Sequence, residues 1–454
     1  MARQSGRRLQ AVAALMAVAL IVAACSSDKK NTSTGAGSGS SSASSAAPAK
    51  GGPKGALEGM KGTTPLVDLP SDFKTKLGQQ GLDLKDTFNY GAESYDAAIV
   101  IALATEAAGT DGIDMAKQIN QVTRNGTKCK TYAECDALIK GGTKDIDYDG
   151  VSGPMEFSGN GEPTVARYGV LEFNNQDKID DAKTVYKTAK APTEADVAET
   201  PVEGSRAGDG ALKLGTFLPV TGSLAFLGPP EIAGVRLAVK DINAAGGALG
   251  KDVAIDEGDS SDAQNPTVGT QTIDRELGEG VDAIIGAASS SVTLNVIDKV
   301  TSAGVVMFSP ANTSKKLSTY ADKGLYFRDA PSDILQGQVL GEVVAGDNIS
   351  TVGLLVLNDA YGTGLQEDFT KSFTASGGKV VKAVVYDPKA QTFDSEVDQI
   401  KSENPDGIVI IGFDESSRIL ATMVEKGIGP KDKHVYGVDG NMGNPLGENF
   451  EAGK

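Results

Sequence analysis

The chain has 454 residues, with 43 Lys and Arg against 60 Asp and Glu, and a net charge of −17 at pH 7. That balance argues against nucleic acid as a partner, because phosphate backbones are gripped by clustered Lys and Arg. A single histidine, His434, and three cysteines leave little material for histidine-based acid–base chemistry or for a zinc site.

In chain order, Arg3, Arg7 and Arg8 form a basic start, followed by an apolar stretch over 11–24 that is short for a membrane span. Val22-Ala23-Ala24-Cys25 resembles the lipobox of bacterial lipoproteins. The resemblance implies a signal peptide over 1–24, cleavage before Cys25, and a diacylglycerol on the Cys25 thiol. Residues 26–54 are rich in Ser, Gly, Ala and Thr and read as a flexible tether. Such a coil spans about 30 Å end to end, enough to hold a folded body clear of a membrane.

The stretch 95–108 is a helix rich in Ala and Ile, and 165–173 alternates like a strand. Cys129 and Cys135 are the two cysteines left in an exported chain, which predicts a local disulfide. Asp145-Ile146-Asp147-Tyr148-Asp149-Gly150 with Glu156 matches the spacing of a calcium loop. Pro154 and the glycines after Glu156 forbid the exiting helix that such a loop needs, so no metal site is expected. Residues 187–210, rich in Pro, Glu, Ala and Gly and without periodicity, read as a linker.

From 211 onward, strand and helix alternate. Apolar runs at 212–218, 253–255, 283–285, 305–308, 352–357, 381–385 and 408–411 read as buried strands. An amphipathic helix over 231–245 and helix-length segments at 293–302, 364–376 and 395–403 lie between them. The pattern predicts an α/β fold of parallel sheets covered on both faces, with right-handed crossovers.

Leu212-Lys213-Leu214-Gly215-Thr216-Phe217-Leu218-Pro219 resembles the opening strand and loop of the type I periplasmic binding proteins of branched-chain amino-acid ABC importers. Ile242-Asn243-Ala244-Ala245-Gly246-Gly247, Ser289-Ser290-Ser291, Phe308-Ser309-Pro310-Ala311-Asn312-Thr313 and Asn358-Asp359-Ala360-Tyr361-Gly362 resemble further motifs of that family, in register. Tyr90-Gly91-Ala92-Glu93-Ser94-Tyr95 and Asp149-Gly150-Val151-Ser152-Gly153-Pro154 resemble stretches that come last in the family but come first here. The order implied is a circular permutation. Lobe 1 is expected from 72–162 plus 211–330, and lobe 2 from 55–71 plus 163–186 plus 331–454.

The resemblance also implies site residues. Ser290, Thr313 and the backbone at Ala311 match positions that hold a ligand carboxylate at a helix start, where free N–H groups favour an anion. Ser290 could equally be the cap of the following helix. Asp439 falls where the family has an acid for an ammonium, although Asp439-Gly440 is also a turn signal. Tyr90, Tyr361 and Phe413 match pocket aromatics that could instead be plain core, and Leu227 stands where relatives carry a ring.

The function implied is capture of a small amino-acid-like solute, branched-chain first, by an extracytoplasmic monomer that hands it to an ABC permease. It needs no cofactor and no reaction, and no Gly-x-Ser-x-Gly elbow suggests an esterase. A sensory receptor, or a receptor for amides, urea or another polar solute, fits the same sequence.

Overall fold

The computed structural model describes residues 51–191 and 197–453. The signal peptide, Cys25 and most of the tether lie outside the described residues.

Two sheets organise the chain. The first has the order β10-β9-β8-β6-β7, and every pairing in it is parallel. Its strands are β6 (Lys213–Leu218), β7 (Ala254–Asp259), β8 (Ala283–Gly286), β9 (Val306–Ser309) and β10 (Tyr326–Arg328). β8 and β9 are buried along their whole length, as strands covered on both faces must be.

The second sheet has seven strands in the order β12-β11-β13-β14-β1-β4-β5. These are β1 (Lys61–Pro65), β4 (Val165–Glu172), β5 (Val185–Lys190), β11 (Thr351–Leu357), β12 (Lys379–Tyr386), β13 (Gly407–Ile411) and β14 (His434–Gly437). Five of them run parallel, while β4 pairs antiparallel with both β1 and β5. The five-stranded sheet is therefore all-parallel and the seven-stranded one is mixed. β5 also takes in 187–190, the first residues of the stretch read as a linker. Its alternation Val-Tyr-Lys-Thr-Ala-Lys is short and mostly polar because the strand is an exposed edge.

Each sheet carries its own apolar core. In lobe 1 the helix α2 (Gly91–Ala108) is apolar nearly all round and buried from Gly91 to Thr105, as an enclosed helix should be. It packs on α5 (Gly228–Ala244) so closely that a Cβ at Gly234 would lie 2.2 Å from the Gly91 carbonyl oxygen. This contact brings Tyr90, at the head of α2, next to the loop before α5.

The chain crosses between the sheets after β1, before β4, between β5 and β6, and after β10. The last crossing leads into α8 (Asp333–Gly346), whose N-cap is Ser332. Cys129 and Cys135 form a disulfide. The calcium-like loop brings Asp147, Asp149 and Glu156 together, but the Lys128 ammonium sits among them at 2.9, 2.9 and 3.0 Å. A side-chain cation thus occupies the centre of that cluster and offsets part of its charge. No helix among the described residues is long and apolar enough to cross a membrane.

Candidate functional site

The strand ends of lobe 1 build one wall. After β8, Ser289 caps the helix α7 (Ser290–Ser302), its hydroxyl accepting the Val292 N–H at 3.4 Å. The cap is thus Ser289, one residue before the Ser290 considered for that role. The Ser290 hydroxyl instead accepts the Ser314 N–H at 3.2 Å, tying the loop after β8 to the loop after β9. Asn312 strengthens the tie, donating through Nδ2 to the Ala287 and Ala288 carbonyls at 2.9 Å each and accepting the Tyr326 hydroxyl at 2.9 Å. Ser290, Ala311 and Thr313 are held in one rigid corner at the start of α7.

Lobe 2 builds the facing wall. Asp439 follows β14 in a turn closed by the Asn441 N–H to the Val438 carbonyl at 3.0 Å, as its Asp-Gly sequence predicts. Its carboxyl accepts the Tyr361 hydroxyl at 2.6 Å and the Tyr90 hydroxyl at 2.7 Å. Burial pushes this carboxyl above the usual aspartate range, and the Tyr361, Tyr90 and Gln336 side chains pull it partly back. Tyr361 stacks on Phe413 with ring centres 5.4 Å apart. Tyr90 reaches across from lobe 1 with a left-handed backbone, φ 59°, which is uncommon for a residue with a side chain and is held here by α2.

All eight residues picked out in the sequence, Tyr90, Leu227, Ser290, Ala311, Thr313, Tyr361, Phe413 and Asp439, line one cavity. Leu224, Ala288, Ser289 and Gly440 complete it. Its free volume is about 10 Å³, room for roughly one water molecule. The facing walls thus lie close together. Two larger cavities, about 510 and 470 Å³, lie elsewhere, lined by 199–202 in one case and by Phe88 and Tyr186 in the other.

Contacts missed in the sequence close the mouth. The Ser291 hydroxyl donates to the Asp359 carboxylate at 3.0 Å and accepts the Ala360 N–H at 3.1 Å. The Ser314 hydroxyl donates to the Ala360 carbonyl at 2.9 Å. Asp359 is also the N-cap of α9 (Ala360–Ala375), accepting the Gly362 N–H at 2.7 Å. Asp333, at the start of α8, is a further buried acid near Asp439, and burial pushes its carboxyl well up. Both Ser291 and Asp359 lay inside quoted motifs, yet nothing in the sequence showed that the two loops meet.

The family model described as "Periplasmic binding protein" matches residues 211–447. The chain belongs to the periplasmic binding protein family. It is 29% identical over 214 residues to the Leu/Ile/Val-binding protein BraC3 of Rhizobium johnstonii, a match covering 46% of this chain and 57% of that one. It is 29% identical over 240 residues to Leu/Ile/Val-binding protein homolog 2 of Brucella abortus, covering 52% and 62%. The matches therefore span about three fifths of the length of these relatives. Among solved structures, the branched-chain amino acid transporter substrate binding protein LivJ of Streptococcus pneumoniae, in complex with isoleucine, is 28% identical with a TM-score of 0.47, covering 53% of this chain and 68% of that one. The leucine binding protein LivK of Thermotoga maritima is 25% identical with a TM-score of 0.47, covering 53% and 67%. The family is one of binding proteins rather than enzymes.

Proposed function

We propose that this binding protein captures a small α-amino acid, branched-chain before others, between its lobes and delivers it to an ABC permease. One observation carries the reading: hydroxyls and N–H groups at the start of α7 in lobe 1 face a buried carboxylate, Asp439, of lobe 2 across a single cavity. An α-carboxylate suits the helix start and an α-ammonium suits Asp439. Leu224, Leu227 and Phe413 offer apolar surface to an aliphatic side chain. A ligand with both charges bridges the lobes and so favours the closed state by its differential affinity for it.

The names of the relatives support the solute class. The lipobox-like segment supports lipid anchoring at Cys25 on the outer face of the cytoplasmic membrane, with residues 26–54 as tether. The circular permutation is part of the same reading. It is supported by β1, early in the chain, pairing parallel with β14 late in it, and by the Gly52 N–H donating to the Phe450 carbonyl at 2.8 Å.

A thermal-shift screen of the exported protein with α-amino acids, their amides, deaminated acids and urea tests the ligand. Saturating ligand at 100 times its dissociation constant adds about 2.7 kcal/mol of stability. Leucine, isoleucine or valine should give the largest shifts. A preference for amides, urea or deaminated acids would overturn the amino-acid reading.

A further inference from the structure

Arg328 stands at the end of β10 and is 0% exposed. All five of its N–H donors are used. Nε donates to the Glu162 carboxylate at 2.7 Å, and Nη2 donates to the same carboxylate and to the Ser318 hydroxyl at 2.8 Å. Nη1 donates to two backbone carbonyls, Asn312 at 3.2 Å and Ser314 at 3.0 Å. Those carbonyls flank Thr313. The Thr313 carbonyl in turn accepts the Asp333 N–H at 2.7 Å, from the head of α8 in lobe 2.

The position of the pair along the chain adds to this. Glu162 directly precedes the crossing that enters β4, and Arg328 directly precedes the crossing that enters α8. Glu162 is 2% exposed and also accepts the Ser318 hydroxyl at 3.0 Å and the Asn160 amide at 3.2 Å. A buried ion pair is weak support for stability, since a well-packed apolar replacement is often neutral or stabilising. Its geometric yield is larger here: a planar fork grips a carboxylate on one side and two carbonyls on the other, which a lysine ammonium cannot reproduce.

We infer that Arg328 is a positioning residue for ligand capture, and that with Glu162 it fixes the Thr313 loop to two of the segments by which the chain crosses between the sheets. A movement of those segments then moves the corner that holds the carboxylate, so loop order and the relative position of the two walls are coupled. This deepens the binding reading above and rests on it for its ligand arm only.

The test uses Arg328→Lys, which keeps the charge, and Arg328→Met with Glu162→Met, which removes both charges. Amide hydrogen exchange of the ligand-free protein should rise about tenfold or more over residues 311–316 in Arg328→Lys, as expected for lost hydrogen bonds to a charged donor. Exchange in α9 should stay at the wild-type rate. The double variant should melt within a few degrees of wild type and show the same local rise; if it fails to fold, Arg328→Lys alone decides. With L-leucine as the probe, affinity in Arg328→Lys should fall about tenfold through faster release. Wild-type exchange over 311–316, or a rise spread evenly over the chain, overturns the inference. If wild-type protein gives no leucine signal, the amino-acid reading fails while the exchange arm still decides the role of Arg328.

Discussion

Tyr90 of one lobe donates its hydroxyl to the Asp439 carboxylate of the other at 2.7 Å, at the floor of a cavity that both residues line. The acid proposed for the ligand ammonium is thus also a closing contact. Its second oxygen is taken by Tyr361 at 2.6 Å.

Removing the Asp439 side chain should therefore weaken recognition and the contact with Tyr90 together. Asp439→Ala should weaken binding of an α-amino acid by about 2–5 kcal/mol, roughly 30-fold or more, because a buried cation is left without its partner. Asp432→Ala, on an exposed turn, should change little. Isothermal titration with the best ligand of the screen decides, and normal affinity in Asp439→Ala would falsify the assignment.

At the mouth, Ser291→Ala deletes one acceptor and one donor between the lobes and leaves the cavity lining intact. A hydrogen bond to a charged group contributes about 1.5–3 kcal/mol, so ligand release should quicken by roughly 10-fold or more. Stopped-flow displacement measures this directly. An unchanged release rate would show that these contacts form without holding the lobes shut.

Stability should fall as pH rises. Burial raises the Glu93 and Glu276 carboxyls to about 8, Asp414 to about 7 and Asp322 to about 6. Each keeps its proton in the fold where the unfolded chain has released it, so the native state binds more protons. The stabilisation is complete below the ordinary carboxylate range, about 4, and is lost progressively up to about 8. A net charge of −17 acts in the same direction through self-repulsion. Melting temperatures should decline from pH 5 to pH 8, and Glu276→Gln should flatten the decline. A melting temperature that climbs over this window would refute the argument.

The three carboxylates around Lys128 give a fourth test. Wild-type protein should show no heat with millimolar calcium, because an ammonium already occupies the centre of the cluster. Lys128→Ala leaves three acids without their counter-charge and should melt lower, with calcium recovering part of the loss. Micromolar calcium binding by wild type, abolished in Glu156→Gln, would contradict this.

Many strand positions were legible because buried parallel strands read as near-continuous apolar runs, as at Ala283–Gly286 and Gly407–Ile411. Strand direction was not, since the period of an antiparallel strand such as Val165–Glu172 is the same as that of a parallel one. Helix α8 escaped notice because its outward polar positions, Gln338 and Glu342, are few among the apolar and glycine residues around them. At the site, motif resemblance pointed to residues that do converge, while Arg328 in Tyr-Phe-Arg-Asp looked like any surface arginine. Its importance comes from Glu162, Asn312 and Ser314, which only the fold brings to it. Lys128 was hidden for the same reason, being distant in sequence from the acids it sits among.

The seven-stranded sheet has a consequence for the life of the chain before it is a receptor. Lys61 pairs with Tyr436 and Gly62 with Gly437, so a strand made near the start of synthesis finds its neighbour only near the end. Pairings so distant in sequence form slowly, because a long loop must close before any contact rewards it. The seven-stranded sheet therefore stays incomplete until both segments are present, and its closure is the late step in the folding of this chain.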